Sequence, residues 1–283
     1  GGAHRAPGST FKVVSALGLE QAARRDANLD ALLGGLPLPE VDRIARDGGY
    51  GFRTDASNYP HETGRAHITN FRDQITGARA AAGRLGMQQA LAHSVNTWFA
   101  WTGELSDRTL FGQPDGGMPG ARELENRALD NARPVAAMAR RLGFGAAQRL
   151  DGGLLPADYR WSQWDALQAS ASNLDPVHSR HELRQMAIGL RMQTTPLQMA
   201  LVAAAVGEGR LVTPRLLLSL DGRESKVQRG APLGVRLDRV RAGMKGVIDG
   251  GTAAGAFRDP AFNGLRPGLY GKTGTAPVGA DGL

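Results

Sequence analysis

From Phe11 onward the chain turns sharply apolar. Phe11, Val13, Val14, Ala16, Leu17 and Leu19 follow Pro7-Gly8, a turn signal, with few polar residues between them. This pattern predicts a buried helix over residues 9–25 that ends in Arg24-Arg25-Asp26. Residues 34–75 are rich in Gly, Pro and polar groups and read as mostly loop with short elements. Residues 83–103 read as helical, broken near Ser94. A Gly/Pro-rich loop over 106–122 precedes a short helix over 132–142, with Pro134 near its start and Gly143 at its end. Tyr159, Trp161 and Trp164 fall in an irregular stretch, 150–180. Thr195 suits a helix N-cap with Pro196 at the first helical position, and that helix should stop near Gly207 or Gly209. The run Val212–Leu218 suggests a strand, and 236–249 another helix. Leu269, Tyr270 and Thr273 suit a strand close to the end.

Composition changes this picture in a few places. A hydrophobic fraction of 41% in 283 residues supports a sizeable core, as one large domain or two subdomains. There is no cysteine, so disulfides and a thiol nucleophile are excluded. No apolar run reaches the length of a membrane-spanning helix. The net charge is +7, carried by arginines spread along the chain. No nucleic-acid-binding motif accompanies them, so nucleic acid is not an expected partner. The chain opens on Gly1 with no initiator Met, which suggests a piece of a longer protein with its membrane anchor upstream.

Candidate chemistry starts from the lysines. There are four, against 30 arginines. Two of them close or open short motifs: Pro7-Gly8-Ser9-Thr10-Phe11-Lys12 and Lys272-Thr273-Gly274-Thr275. An amine loses its proton when desolvated and a guanidinium does not, so Lys at these points suits a general base. Ser9 and Lys12 are three apart, on one face of a helix. A Lys12 held against apolar walls would have a lowered pKa and could activate the Ser9 hydroxyl. Ser94-Val95-Asn96 offers a hydroxyl for proton relay and an amide to hold a carbonyl or orient a lysine. Lys272 with two hydroxyls makes an anchor for a carboxylate, and Gly274 admits a ligand close to the backbone. Taken singly, each motif also fits a plain role: a Ser N-cap, a polar break between helices, a Gly-rich edge strand or loop. His178 and His181 suggest no third metal ligand by spacing, and a helix start there is the simpler reading. Neither metal nor cofactor is expected.

Together the three motifs decide. Ser-x-x-Lys, Ser-x-Asn and Lys-Thr-Gly, in that order, form the set found in class A β-lactamases and penicillin-binding proteins. The chain resembles the penicillin-binding protein transpeptidase family, and the resemblance runs from residue 7 to residue 277. Thr194-Thr195-Pro196-Leu197-Gln198-Met199-Ala200 and Gly250-Gly251-Thr252-Ala253 resemble further segments of that family. Gly189-Leu190-Arg191 departs from a Gly-Gln-Gly type stretch common in relatives. Val13 stands where bifunctional class A members commonly have proline, which favours a class B-like, transpeptidase-only reading.

The resemblance implies an α/β (α+β) fold of the β-lactamase/transpeptidase type, with one domain over 1–283. A mostly helical subdomain would span roughly 26–250, with remnants of an antiparallel sheet at the two ends. Only six residues precede Pro7-Gly8, so the strand bearing Lys272 would lack its usual partners. The resemblance also implies roles. Ser9 is the nucleophile, Lys12 the general base, and Ser94 the relay towards the leaving nitrogen. Asn96 positions Lys12 and the substrate amide, and Lys272 supports Ser94. Thr273, Gly274 and Thr275 form the carboxylate site, with the N–H groups of Ser9 and Thr275 as oxyanion hole. The implied partners are peptidoglycan stem peptides, β-lactams and membrane-anchored cell-wall synthesis proteins, on the extracytoplasmic side of the inner membrane. The basic charge suits anionic lipid headgroups or cell-wall polymers. Competing functions are a serine β-lactamase, a β-lactam sensor without turnover and a catalytically dead fragment. Glu123 and Glu125 only faintly resemble the water-activating Glu of the former.

Overall fold

The buried helix forms where the apolar run places it. In the computed structural model, residues 5–47, 58–60, 67–70, 83–107, 133–162, 166–177, 180–226 and 229–276 are described. Gly8–Phe11 make one turn of 3-10 helix that runs into α1 (Lys12–Ala23). Val14, Ala16, Leu17 and Leu19 are wholly buried. A helix that is apolar on all sides needs partners on all sides. The other helices among the described residues are α2 (Ala27–Gly34), α3 (Leu38–Asp47), α4 (Met87–Ala92), α5 (Asn96–Ser106), α6 (Pro134–Arg141), α7 (Arg180–Ala187), α8 (Pro196–Glu208) and α9 (Asp238–Asp249). α1 packs mainly on α6, and also on α2 and α5, while α9 packs on α4 and α7 on α5. Trp98, Phe99 and Trp101 of α5 join Phe11, Leu17 and Leu19 in one core. A buried Arg184–Glu104 pair at 2.7 Å ties α7 to α5. Ser15 Oγ of α1 donates to Ala187 O at 2.7 Å, which fixes the end of α7 against α1.

Local signals set several boundaries. Thr195 Oγ1 accepts from the Gln198 N–H at 3.2 Å, and α8 stops at Gly209 in a left-handed conformation. Asp26 caps α2 by accepting from the N–H groups of Asn28 and Leu29. The break between α4 and α5 falls at His93–Val95, where Ser94 has φ +58°.

Three expectations need correction. Residues 34–75 are not mostly loop throughout, because α3 occupies 38–47. Its Pro39 sits in the first turn, where a missing N–H costs nothing, and Val41 and Ala45 bury one face. The expected strand Val212–Leu218 is only β9 (Arg210–Val212). Pro214 supplies no ladder N–H, and Leu216 and Leu218 are each 67% exposed. Lys272–Thr275 is not a strand; it runs without ladder pairing among the described residues.

The sheets are small. Twelve short strands pair antiparallel, two by two, among the described residues. β1 (Leu36–Pro37) pairs with β4 (Arg84–Leu85), and β2 (Asn58–Pro60) with β3 (His67–Thr69). β9 pairs with β12 (Arg229–Pro232). The mixed helix-and-sheet architecture, with an incomplete antiparallel sheet, is thus as expected. No helix among the described residues is long and apolar enough to cross a membrane.

Candidate active site

Residues 7–10 and 274–276, far apart in sequence, meet beside Ser9. Gly8, with φ +54°, turns the backbone so that its N–H donates to Gly189 O at 3.2 Å. A Cβ on Gly8 would stand 2.3 Å from Thr275 O, and one on Gly274 2.8 Å from Pro7 O. Only glycine permits such an approach, so residues 272–275 lie directly on the Ser9 turn. Thr10 Oγ1 donates to Pro7 O at 2.7 Å and holds that turn. Gly189-Leu190-Arg191, the stretch that departs from the family pattern, supplies the acceptor beneath it.

Lys12, the first residue of α1, has no exposed surface. Its Nζ donates to Ser94 O at 2.6 Å, to Ser94 Oγ at 3.1 Å and to Asn96 Oδ1. Lys272 Nζ donates to the same Ser94 Oγ at 2.8 Å and to Thr273 O at 2.9 Å. One hydroxyl therefore sits between two amines. The left-handed turn at Ser94 is costly for a residue with a side chain, and here it coincides with both its carbonyl and its hydroxyl meeting Lys12. Lys12 makes its hydrogen bonds to Ser94 and Asn96; none joins it to Ser9 in this resting geometry.

Burial drives both lysines towards neutrality. Lys12 is held well below the usual lysine range, first by desolvation and then by the charge of Lys272. Desolvation pushes Lys272 down to about 7. Ser94 O, Ser94 Oγ and Asn96 Oδ1 match the three N–H groups of a protonated Lys12. Loss of one proton frees a lone pair that the Ser94 O–H can meet, while Lys272 donates to the Ser94 oxygen.

The depressed Lys272 carries a stability cost with a definite sign. Between about pH 7 and the ordinary lysine value of 10.5, the unfolded chain binds more protons at this site than the folded one. Stability therefore rises with pH through that window. Lys272→Met should flatten this rise and raise the melting midpoint at pH 7, by ~2–4 °C per kcal/mol relieved. Melting curves at several pH values check this; an unchanged slope would mean that Lys272 is not desolvated.

Residues outside the three motifs complete the site. Asn96 Nδ2 donates to Thr69 O at 2.6 Å, which turns Oδ1 towards Lys12. Asn70 accepts from the Thr97 N–H at 3.1 Å and donates to Thr97 Oγ1 at 2.8 Å, capping α5 from across the chain. Thr252 Oγ1 lies 2.6 Å from Thr273 Oγ1. Of the other candidates, Glu123, Glu125 and His178 lie outside the described residues. His181 lies in α7, and no group of three or more His, Asp or Glu suited to a metal occurs among the described residues.

A family model described as the penicillin-binding protein transpeptidase domain matches residues 52–282. The chain belongs to this family. The matched span holds Ser94, Asn96 and Lys272–Thr275; Ser9 and Lys12 precede it and join it through the contacts above. Solved structures agree in fold. Penicillin-binding protein A from Mycobacterium tuberculosis, as a ceftriaxone acyl-enzyme complex, matches with TM-score 0.60 at 21% identity, over 99% of this chain and 49% of that one. A second crystal structure of that protein gives 0.62 at 20%, over 99% and 50%. The D,D-transpeptidase domain of a peptidoglycan glycosyltransferase from Eggerthella lenta gives 0.54 at 22%, over 99% and 55%. The chain spans about half the length of these structures. No curated protein matches it.

Proposed function

We propose that this domain is a peptidoglycan D,D-transpeptidase working through an acyl-serine. The observation that carries the reading is Ser94 Oγ held 3.1 Å from Lys12 Nζ and 2.8 Å from Lys272 Nζ, beside the turn that bears Ser9. Ser9 Oγ attacks the carbonyl carbon between the two D-alanines of a stem peptide, and its proton passes to neutral Lys12. The oxyanion that forms faces the N–H groups of Ser9 and Thr275. The C–N bond breaks as Ser94 passes a proton to the leaving nitrogen and takes the one that Lys12 accepted, with Lys272 stabilising the Ser94 oxygen meanwhile. D-Alanine departs. An amine from a neighbouring strand then attacks the Ser9 ester, which closes the cross-link and frees the hydroxyl. A β-lactam enters by the same first step, but its leaving nitrogen stays tethered, so the ester persists. This chemistry places the domain on the extracytoplasmic side of the cell envelope, alongside other cell-wall synthesis proteins.

Fluorescent penicillin tests the reading. A persistent adduct, together with transfer of a thioester acyl group to an added D-amino acid, is the expected result. Rapid loss of the adduct would make the protein a β-lactamase. A persistent adduct without any transfer would make it a sensor.

The carboxylate site gives a further prediction. Hydrogen bonds to charged groups contribute roughly 1.5–3 kcal/mol each. Thr275→Val should therefore slow acylation roughly 10- to 150-fold. Unchanged kinetics with a carboxylate-bearing substrate would place the anchor elsewhere.

A further inference from the structure

Thr252 belongs to none of the three motifs, yet it touches both halves of the site. It follows α9 in the turn Gly250-Gly251-Thr252. Its backbone N–H donates to Ala92 O at 3.1 Å, two residues before Ser94. Its hydroxyl oxygen lies 2.6 Å from that of Thr273, next to Lys272. Gly251 makes the approach possible, because a Cβ there would stand 2.1 Å from Ala92 O. From the same helix, Met244 O accepts the Gly271 N–H at 3.1 Å. The end of α9 is thus bonded on one side to the segment leading into Ser94 and on the other to the segment bearing Lys272.

We propose that Thr252 is a positioning residue for substrate-carboxylate recognition, its hydroxyl donating to Thr273 Oγ1 and so aiming the Thr273 proton at the anion. This rests on the acyl-serine reading. A hydroxyl carries one proton and two lone pairs. Two hydroxyls 2.6 Å apart spend one proton on each other and keep one. Thr273 and Thr275 belong to one short segment whose Gly274 and Thr275 pack on Pro7 and Gly8. That segment lies on the Ser9 turn, so the retained proton is useful when it belongs to Thr273. A carboxylate only accepts, and the order Thr252 O–H to Thr273 O–H to carboxylate leaves no lone pair facing the anion. Each link polarises the next and strengthens the outer donor. The ligand class is a carboxylate next to the scissile amide, as in a D-amino-acid terminus or a penam acid.

The test compares penicillin with its methyl ester on the parent, Thr252→Val and Thr252→Ser, by second-order acylation rate, with melting curves to confirm folding. Thr252→Val keeps the shape and removes the hydroxyl. It should slow acylation by the free acid roughly 2- to 12-fold, the range of one neutral hydrogen bond. The preference for acid over ester should shrink by a similar factor. Thr252→Ser should restore most of the acid rate. An equal loss for acid and ester would make Thr252 a structural tie only, and no loss would reject it outright. A parent protein that takes up no penicillin would overturn the acyl-serine reading, and Thr252's role with it. A parent that is acylated alongside an indistinguishable Thr252→Val would overturn the Thr252 role alone.

Discussion

Ser9→Ala should give a protein that melts close to the parent yet takes up no penicillin. The fold has little stake in this hydroxyl. The burial of α1 comes from Phe11, Val14, Leu17 and Leu19, all of them fully buried, while Ser9 itself is only partly buried. Losing one hydroxyl costs about 1 kcal/mol at most, or ~2–4 °C in midpoint for a chain of this size. The chemistry has everything at stake, since no other atom at this position can form the ester. Intact-mass spectrometry after penicillin treatment reads the outcome directly. A penicilloyl adduct on Ser9→Ala would move the nucleophile elsewhere, and Ser94 would be the first place to look. Its surroundings argue against it: Ser94 is 2% exposed and its oxygen is engaged by both Lys12 and Lys272.

What the sequence made legible was local. The apolar run after Pro7-Gly8, the cap at Thr195 with Pro196, and the polar break at Ser94 each act within a few residues, and each produced the element it predicted. The scarcity of lysine pointed to Lys12 and Lys272 because burial of an amine needs a reason. α3 was missed because Pro39 reads as a breaker unless its place in the first turn is known. The strand expected at Lys272 failed for a different reason. Strand propensity in Leu269, Tyr270 and Thr273 needs a partner to become a strand, and no ladder forms there among the described residues. Thr69 and Asn70 carried no signal, and Gly250-Gly251-Thr252-Ala253 stood out only by resemblance, with no role attached, because the value of these residues lies in contacts 21 to 27 positions away. A Thr or Asn in a polar stretch looks the same whether or not it later meets Asn96 or Thr273. Motifs name the candidate reacting groups, whereas the contacts around those groups are set by tertiary packing.

Lys12→Arg should slow acylation by a factor on the order of 100 to 10,000, the usual worth of a positioned general base. Arginine keeps the positive charge and can still donate to Ser94 and Asn96, so the variant separates charge from basicity. It cannot give up a proton in a protein, and so cannot receive one from Ser9. Its larger head must also fit where Lys12 has no exposed surface, so melting curves should accompany the rates. The pH profile adds a second reading. A general base works in its neutral form, and Lys12 is driven towards that form by burial and by Lys272. Removing the Lys272 charge raises the pKa of Lys12, so the rising limb of acylation against pH should move upward in Lys272→Met. In Lys12→Arg the part of that limb due to Lys12 should vanish, because the residue at this position no longer titrates. Acylation of Lys12→Arg within a few-fold of the parent, with the limb intact, would assign the base to another group and leave Lys12 as an electrostatic prop for Ser94 and Asn96.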